Sequence, residues 1–380
     1  MRPGIAINGR FLTQPMTGVQ RFAIEVVKAI DELIDNGDYA AFDGRVEIVA
    51  PHAAHEFSLR HIPLRRCGIS GGYFWEQVEY PLHAGGRLLL NLCMLGPLAV
   101  RHQIVVVHDA TVGAVPTIFT PRFRAAYNFL IPRLCRRSYR AVTVSEFSRG
   151  EIGKWFGVDV GKMPVCFEGG DHIMKFPADR SVIDRLGLGG RRYFLGVGMS
   201  NNKNPETLLA AFAKAGIPNS LLVFTGSREP RVNAPRTDMQ TDGVCDAGYV
   251  SDGELRALYE HAVALVFPSF YEGFGLPPVE AMTCGCPVII SDQPALVEVC
   301  ADAALQCGTY DIDGLSRLMR LVHDNPVRRA AMISAGRARA ARFTWRATAR
   351  VLLDLCVEAG QAQGISPPIN PVLPQADTTF

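Results

Sequence analysis

The sequence predicts an α/β protein built from two tandem Rossmann-like domains, each a parallel sheet covered by helices, that face each other across a cleft. Three observations lead there. Short apolar runs alternate with longer runs of helical period, the alternation lapses near residue 170, and it resumes after residue 190. Near-continuous apolar strands separated by helices mark parallel sheet with both faces covered. The third observation is length: 380 residues exceed one compact core and suit two.

The elements follow in order. GIAING (4–9) reads as a strand and VQRFAIEVVKAIDELI (19–34) as an amphipathic helix. RVEIVA (45–50), QIVVVHD (103–109) and AVTVS (141–145) read as strands, with helices over 125–138 and FSRGEIGKWF. After the lapse, YFLGVG (193–198), SLLVFTG (220–226), ALVFPS (264–269) and PVIIS (287–291) are strands. Helices fall over 205–216, 253–262 and 276–285. The boundary is placed at GGDHIMKFPADRS (169–181), punctuated by glycine and proline and without either periodicity. The resulting division is 1–170 and 171–343, a helix over 344–362 crossing back towards the first domain, and a proline-rich tail, 363–380, expected to be disordered.

Composition narrows the function classes. A formal net charge of +2 gives no ground for a nucleic-acid partner. Residues 1–170 carry 19 Lys+Arg against 15 Asp+Glu, and much of that excess lies in Arg122, Arg124, Arg133, Arg136, Arg137, Arg140 and Arg149. Such a stretch is either a solvated helix face or a patch that meets an anionic membrane. Ten scattered cysteines without a CxxC, and a start that does not resemble a secretory leader, favour a cytoplasmic protein, with the inner face of the membrane as a further location. The longest apolar run, LLLNLCMLGPLAV (88–100), is too short to span a bilayer.

The chemistry concentrates in SFYEGFGLPPVEAMTCGC (269–286). ALVFPS ends a strand just before it, and open α/β sheets bind ligands beyond the carboxyl ends of their strands. Pro277 and Pro278 suit a first helical turn, and Gly273 and Gly275 let backbone approach a ligand. Free N–H groups of Phe274, Gly275 and Leu276 at that helix start would hold phosphate or sugar oxygens. Glu280 falls in the first turn, where a carboxylate can accept two ribose hydroxyls, and Glu272 faces what lies beyond the phosphates.

YEGFGLPPVEAMTCGCPVIIS closely resembles the signature of retaining glycosyltransferases of the two-Rossmann GT-B fold, in particular the large family 4. The resemblance extends over most of the chain and is similar in character to bacterial mannosyl- and rhamnosyltransferases. It implies that Glu280 binds the nucleotide ribose, that Glu272 lies beside the donor sugar, and that the amides of Phe274, Gly275 and Leu276 hold sugar hydroxyls and diphosphate. GYVSDGELRALYEHAVALVFPS resembles the segment whose backbone around Tyr249 and Val250 faces the base. HDA (108–110) resembles the His-Asp motif that brings His108 to the donor sugar, and GRFLTQPMTGVQRFAIEV the glycine loop in which Gly18 approaches diphosphate or acceptor. Lys203 in GVGMSNNKNPETLLAAF matches the lysine that neutralises the diphosphate, but Met199 or Ser200 stands where the family commonly has arginine. Arg228 is a candidate replacement.

The implied function is retaining transfer of mannose, or a related deoxy-sugar, from a GDP-linked donor to a glycan or lipid-linked saccharide of a bacterial surface polysaccharide. Glu272, His108 and Lys203 would be its catalytic residues. The nucleotide diphosphate sugar is a co-substrate, no cofactor is implied, and metal independence is expected. Front-face attack is favoured over a covalent intermediate on Glu272. A UDP-sugar glucosyl-type transferase and a non-catalytic nucleotide-sugar binder are the alternatives. A dehydrogenase is the rival of another class, weakened because GVGMSN lacks the third glycine of a dinucleotide fingerprint. DID (311–313) reads as a loop or helix cap, Ser145 and Ser148 as turn and N-cap residues, and Asp109 as a loop brace. His172 and His261 read as lying outside the site. Phe74, Trp75 and Glu76 are either acceptor-facing or part of a buried aromatic pair.

Overall fold

In the computed structural model, which describes residues 4–226 and 242–362, the first half of the chain forms a sheet ordered β3-β2-β1-β4-β5-β6. Its strands are β1 Ile5–Asn8, β2 Val46–Ala50, β3 Leu64–Arg66, β4 Leu88–Asn91, β5 Gln103–Val106 and β6 Arg140–Val142. The second half forms a sheet ordered β12-β11-β10-β7-β8-β9. Here β7 is Arg192–Val197, β8 Ser220–Thr225, β9 Val244–Asp246, β10 Ala264–Phe267, β11 Val288–Ser291 and β12 Leu305–Cys307. All pairings are parallel. This is the doubly wound order twice over, with the winding reversing between β1 and β4 and again between β7 and β10.

The longer helices are α1 Gly18–Asp35, α2 Pro121–Arg137, α3 Glu146–Phe156, α4 Pro205–Ala215 and α5 Asp252–His261. They continue with α6 Leu276–Thr283, α7 Pro294–Cys300, α8 Ile312–Asp324, α9 Pro326–Ala340 and α10 Trp345–Ala362. No helix among the described residues is long and apolar enough to cross a membrane. The buried strands carry Ile, Val, Leu and Phe on both faces, so each sheet is enclosed by helices on either side.

Four strands and three of these helices have no counterpart in the sequence reading. β3, β9 and β12 are three-residue edge strands, too short to show a period, and the sequence reading assigns nothing to α7, α8 and α9. β4 is different: it opens the apolar run at 88–100 and occupies the centre of the first sheet. The expected cap at 311–313 is present, with Asp311 Oδ1 accepting from the Gly314 N–H at 2.7 Å. The tail expected to be disordered, 363–380, lies outside the described residues, as does Arg228.

α10 returns to the first sheet and packs on α1. Its first residue, Trp345, is buried, meets Phe22 of α1 edge-on at 5.7 Å, and donates its indole N–H to His172 Nδ1 at 3.0 Å. Arg346 and Arg350 each reach Asp38 beyond the end of α1 at 2.6 Å.

Polar contacts close the cleft between the sheets. The Glu298 carboxylate, on α7, accepts from the N–H groups of Glu146 and Phe147 at 2.8 Å each, capping the start of α3 from the opposite domain. Arg21 of α1 holds Asp252 at the start of α5 at 2.5 Å. Hydrogen bonds to a charged acceptor are worth about 1.5–3 kcal/mol each. Glu298→Ala should therefore speed native-state exchange of the Glu146 and Phe147 amides by about tenfold or more, as read by hydrogen-exchange mass spectrometry. Unchanged protection would show that the cross-domain cap contributes nothing.

Candidate active site

The mouth of the second sheet is built by the loops that follow β7 and β10, its switch-point strands. They are tied together before any side chain reaches into the cleft. The Asn202 carbonyl accepts from Ser269 Oγ at 2.6 Å and from the Phe270 N–H at 2.9 Å. Asn202 Nδ2 donates to the Tyr271 carbonyl at 3.1 Å, and Asn204 Nδ2 to the carbonyls of Pro268 and Thr309 at 3.2 and 2.9 Å. On this frame Lys203 Nζ stands 2.6 Å from Glu272 Oε1, and Ser269 Oγ is 2.5 Å from the same oxygen. The lysine stem lies over Gly198, where an added Cβ would meet it at 3.1 Å. The Lys203 and Glu272 side chains are 20% and 11% exposed, so the pair is reachable from the cleft.

Met199 is buried in the second-sheet core with Phe194, Leu208 and Phe224, so no cation can point outward from that position. Ser200 turns inward to Asn202 Oδ1 at 2.7 Å.

Gly275, at φ +105°, starts α6, and a Cβ there would come within 2.6 Å of Leu296. Among the described residues the N–H groups of Phe274, Gly275 and Leu276 have no acceptor. The Phe274 side chain points away from the mouth, packed against Phe343 at 5.6 Å and Phe167 at 6.3 Å. Gly273 lies against the first domain. A Cβ would meet the His108 carbonyl at 2.8 Å, and the Gly273 carbonyl accepts from Ser145 Oγ at 2.5 Å and Ser148 Oγ at 2.8 Å. Ser145 also caps α3, as expected, but this second contact was not legible in the sequence.

Glu280 is buried under the mouth. Tyr259 OH donates to Oε2 at 3.0 Å and His172 Nε2 stands 3.2 Å from Oε1. The Trp345 indole occupies His172 Nδ1, which fixes the ring with Nε2 turned to the carboxylate. Burial works to raise the Glu280 carboxyl, but His172, the Arg21 charge and the Tyr259 hydrogen bond outweigh it and hold the group below the ordinary carboxylate range. His172, read from sequence as lying outside the site, is thus in direct contact with Glu280. Its partners are far away in sequence, and nothing local marks it. Among the described residues His261 bonds the Ala257 carbonyl alone.

From the first domain, His108 reaches the cleft with both ring nitrogens engaged. Nε2 meets the Leu92 carbonyl at 2.8 Å and Nδ1 meets Glu168 Oε1 at 3.4 Å. Reaching a sugar hydroxyl would require one of these contacts to be exchanged. Asp109 Oδ1 accepts from the Thr111 N–H at 2.8 Å, a loop brace. Gly18 begins α1 with open space on its Cβ side. Tyr249 and Val250 lie between β9 and α5, Tyr249 exposed and Val250 buried.

Glu168, buried beside His108, carries a carboxyl raised by burial and by the charges of Glu272 and Glu280, against the lowering effect of His108. An acid raised in the folded state costs stability once pH exceeds its unfolded value, near 4.3, and the cost grows until pH passes the folded value. Glu168→Gln should therefore raise the melting temperature at pH 7 relative to the parent, with the gain vanishing at about pH 4. Melting curves across that range check it; a loss at pH 7 equal to that at pH 4 would contradict it.

Comparison with known proteins bears on this arrangement. Residues 186–339 match the model for "Glycosyl transferases group 1". The chain is 32% identical over 365 residues to O-antigen chain mannosyltransferase B of Escherichia coli, covering 87% of this chain and 93% of that protein. It is 27% identical over 321 residues to the O-antigen chain mannosyltransferase RfbU of Salmonella typhimurium, covering 80% and 87%. Among solved structures, sucrose-phosphate synthase from Thermosynechococcus elongatus superposes with a TM-score of 0.72 at 18% identity, over 95% of this chain and all of that one. With its two facing doubly wound domains, the chain belongs to the group 1 glycosyl transferases of the GT-B fold.

Proposed function

We propose that this glycosyltransferase moves mannose, or a related deoxy-sugar, from a GDP-linked donor to a hydroxyl of a glycan or lipid-linked saccharide in surface polysaccharide assembly, with retention at the anomeric carbon. One observation supports it most. A lysine–carboxylate pair, Lys203 and Glu272, flanks an amide-lined helix start, with a second, ionised acid, Glu280, buried beneath it. The relatives named as O-antigen mannosyltransferases support the choice of sugar and pathway.

In this reading the ribose hydroxyls donate to Glu280, which is buried beneath the mouth with Tyr259 and His172 as its other partners. The diphosphate competes with Glu272 for Lys203, and the acid thus released accepts from sugar hydroxyls. As the bond from the anomeric carbon to the diphosphate oxygen breaks, Lys203 and the amides of residues 274–276 stabilise the departing charge, having been oriented in advance. The acceptor oxygen attacks from the same face and its proton passes to the departing phosphate oxygen. His108, freed from Glu168 or Leu92, holds the sugar. The base lies along Tyr249 and Val250, and Gly18 leaves room for the diphosphate or acceptor. No metal is needed in this scheme.

The arginines of α2 extend the reading to an anionic membrane surface. Arg133 stacks on half-exposed Phe129 at 3.5 Å, leaving an aromatic and basic face on that helix. Co-sedimentation with vesicles should show a preference for anionic over zwitterionic lipid that weakens with salt; equal binding would remove the membrane contact.

Calorimetric titration with GDP, UDP, dTDP and ADP tests the donor class. GDP should bind selectively, and Glu280→Ala should weaken it by about tenfold to a hundredfold, the worth of hydrogen bonds to a charged group. Proton NMR of the product should show the donor's anomeric configuration kept. Selective UDP binding would move the donor to the glucosyl-type alternative. Absence of binding to all four would favour a non-catalytic or partner-dependent protein.

A further inference from the structure

The first sheet has a switch point of its own, between β1 and β4, and the reading above leaves most of its residues without a role. Asn8 ends β1 and Asn91 ends β4. Asn8 Nδ2 donates to Asn91 Oδ1 at 3.1 Å and to Glu76 Oε1 at 2.9 Å. Arg10, two residues beyond the strand, donates its Nε to the same Glu76 oxygen at 3.1 Å and its backbone N–H to Asn8 Oδ1 at 3.1 Å. Glu76 comes from the helical stretch 72–84, whose Trp75–Glu79 turn is a π-turn, a geometry that recurs at functional sites.

Two features leave this network incomplete. Glu76 Oε2 has no hydrogen-bond partner among the described residues, although the residue is 1% exposed. The terminal nitrogens of Arg10 likewise have no acceptor among the described residues, and its guanidinium lies 4.7 Å from the centre of the Tyr73 ring. A brace built only to hold β1 against β4 would use Glu76 Oε1 and the two asparagines. It would not bury a second carboxylate oxygen unmatched, which costs free energy.

The surface above the network is aromatic. Tyr73 is 46% exposed and Phe74 61%, and the Tyr73 hydroxyl meets that of Tyr127 at 3.3 Å. An exposed ring beside a guanidinium–carboxylate pair suits a pyranose, whose C–H face covers the ring while one hydroxyl both accepts from Arg10 and donates to a carboxylate. It suits a phosphate poorly, because Glu76 already neutralises Arg10 and would repel an anion. The segment after β4 links this place to the reaction centre, since Leu92 follows Asn91 directly and its carbonyl holds His108.

We propose that Arg10, Glu76 and Tyr73 form the acceptor-sugar subsite, which takes the terminal pyranose of the acceptor glycan through a hydroxyl shared between Arg10 and Glu76. The inference rests on the transferase reading, so its test is separable from nucleotide binding. Saturation-transfer NMR on the full-length protein, with and without GDP, would use methyl α-mannoside, methyl α-rhamnoside, methyl α-glucoside and methyl β-N-acetylglucosaminide. At least one should receive saturation from the parent. Glu76→Gln and Tyr73→Ala should each weaken that signal by about tenfold, while leaving GDP affinity within about twofold because the two sites share no partner. Tyr73 is half exposed, so its variant decides the matter if Glu76→Gln fails to fold. No saturation of any pyranoside, or a signal that survives both substitutions, overturns the subsite. Failure of the parent to bind a nucleotide would count against the proposed donor chemistry and leave the pyranoside result to decide this one.

Discussion

The carbonyl oxygen of Gly273 accepts from two hydroxyls of the opposite domain, Ser145 at 2.5 Å and Ser148 at 2.8 Å. Its α-carbon sits where any side chain would run into the His108 carbonyl. This contact sets how near the two sheets approach, and the other cleft distances depend on it. Glu272 is the preceding residue, so the loop that carries it is fixed to the first domain as well as to Asn202. The Glu298 cap on α3 and the Arg21–Asp252 pair hold the same closure from either side. A larger residue at 273 would force the domains apart and pull Lys203 and Glu272 away from His108.

That closure gathers three carboxylates, and burying charge is costly unless each finds a partner. Their surroundings sort them. Glu280 has His172, Tyr259 and the Arg21 charge, and it stays ionised despite burial. Glu272 has Lys203 and Ser269. Among the described residues Glu168 has His108 alone, at 3.4 Å, and the charges of the other two acids act against its ionisation. The cleft therefore separates one acid held ionised from one biased towards its neutral form. The cation missing at position 199 sharpens this economy, because Met199 is committed to the core and Lys203 is the cation in contact with Glu272. In the proposed reaction, a diphosphate drawing on Lys203 would leave Glu272 with the Ser269 hydroxyl but no countercharge unless sugar hydroxyls took the lysine's place, which couples donor binding to correct placement of the sugar.

How much of this was legible in the sequence follows from how local each feature is. The mouth of the second sheet was legible because strand, glycine turn, helix start and both acids fall within about twenty residues of chain. The first-domain loop around Gly18 and the His108 motif were likewise short and self-contained. What escaped was everything whose partner lies elsewhere. His172 gains its position from Trp345 and Glu280, more than a hundred residues away on the chain. The second contacts of Ser145 and Ser148 depend on a carbonyl of the other domain. His108 was placed at the cleft, but the engagement of both its nitrogens needs Leu92 and Glu168 in space. β4 escaped for a different reason: an apolar run broken by asparagine reads as an interrupted segment until Asn91 is seen to meet Asn8.

The two switch points share one topology but are made of different chemistry, and the difference matches two different tasks. Among the described residues, beyond β7 and β10 the mouth offers glycine backbone, N–H groups without an acceptor and the Lys203 ammonium. Dipoles of that kind disperse charge without demanding a direction, as a departing diphosphate requires. Beyond β1 and β4 the mouth offers carboxamides, a guanidinium and a carboxylate locked to one another. Such groups have little to give to a growing negative charge, because Arg10 is already neutralised. They fix direction instead, and a neutral hydroxyl that must present one lone pair to an anomeric carbon gains most from direction. Since Gly273 holds the two mouths together, their proposed partners are brought within reach of each other only while the cleft is closed.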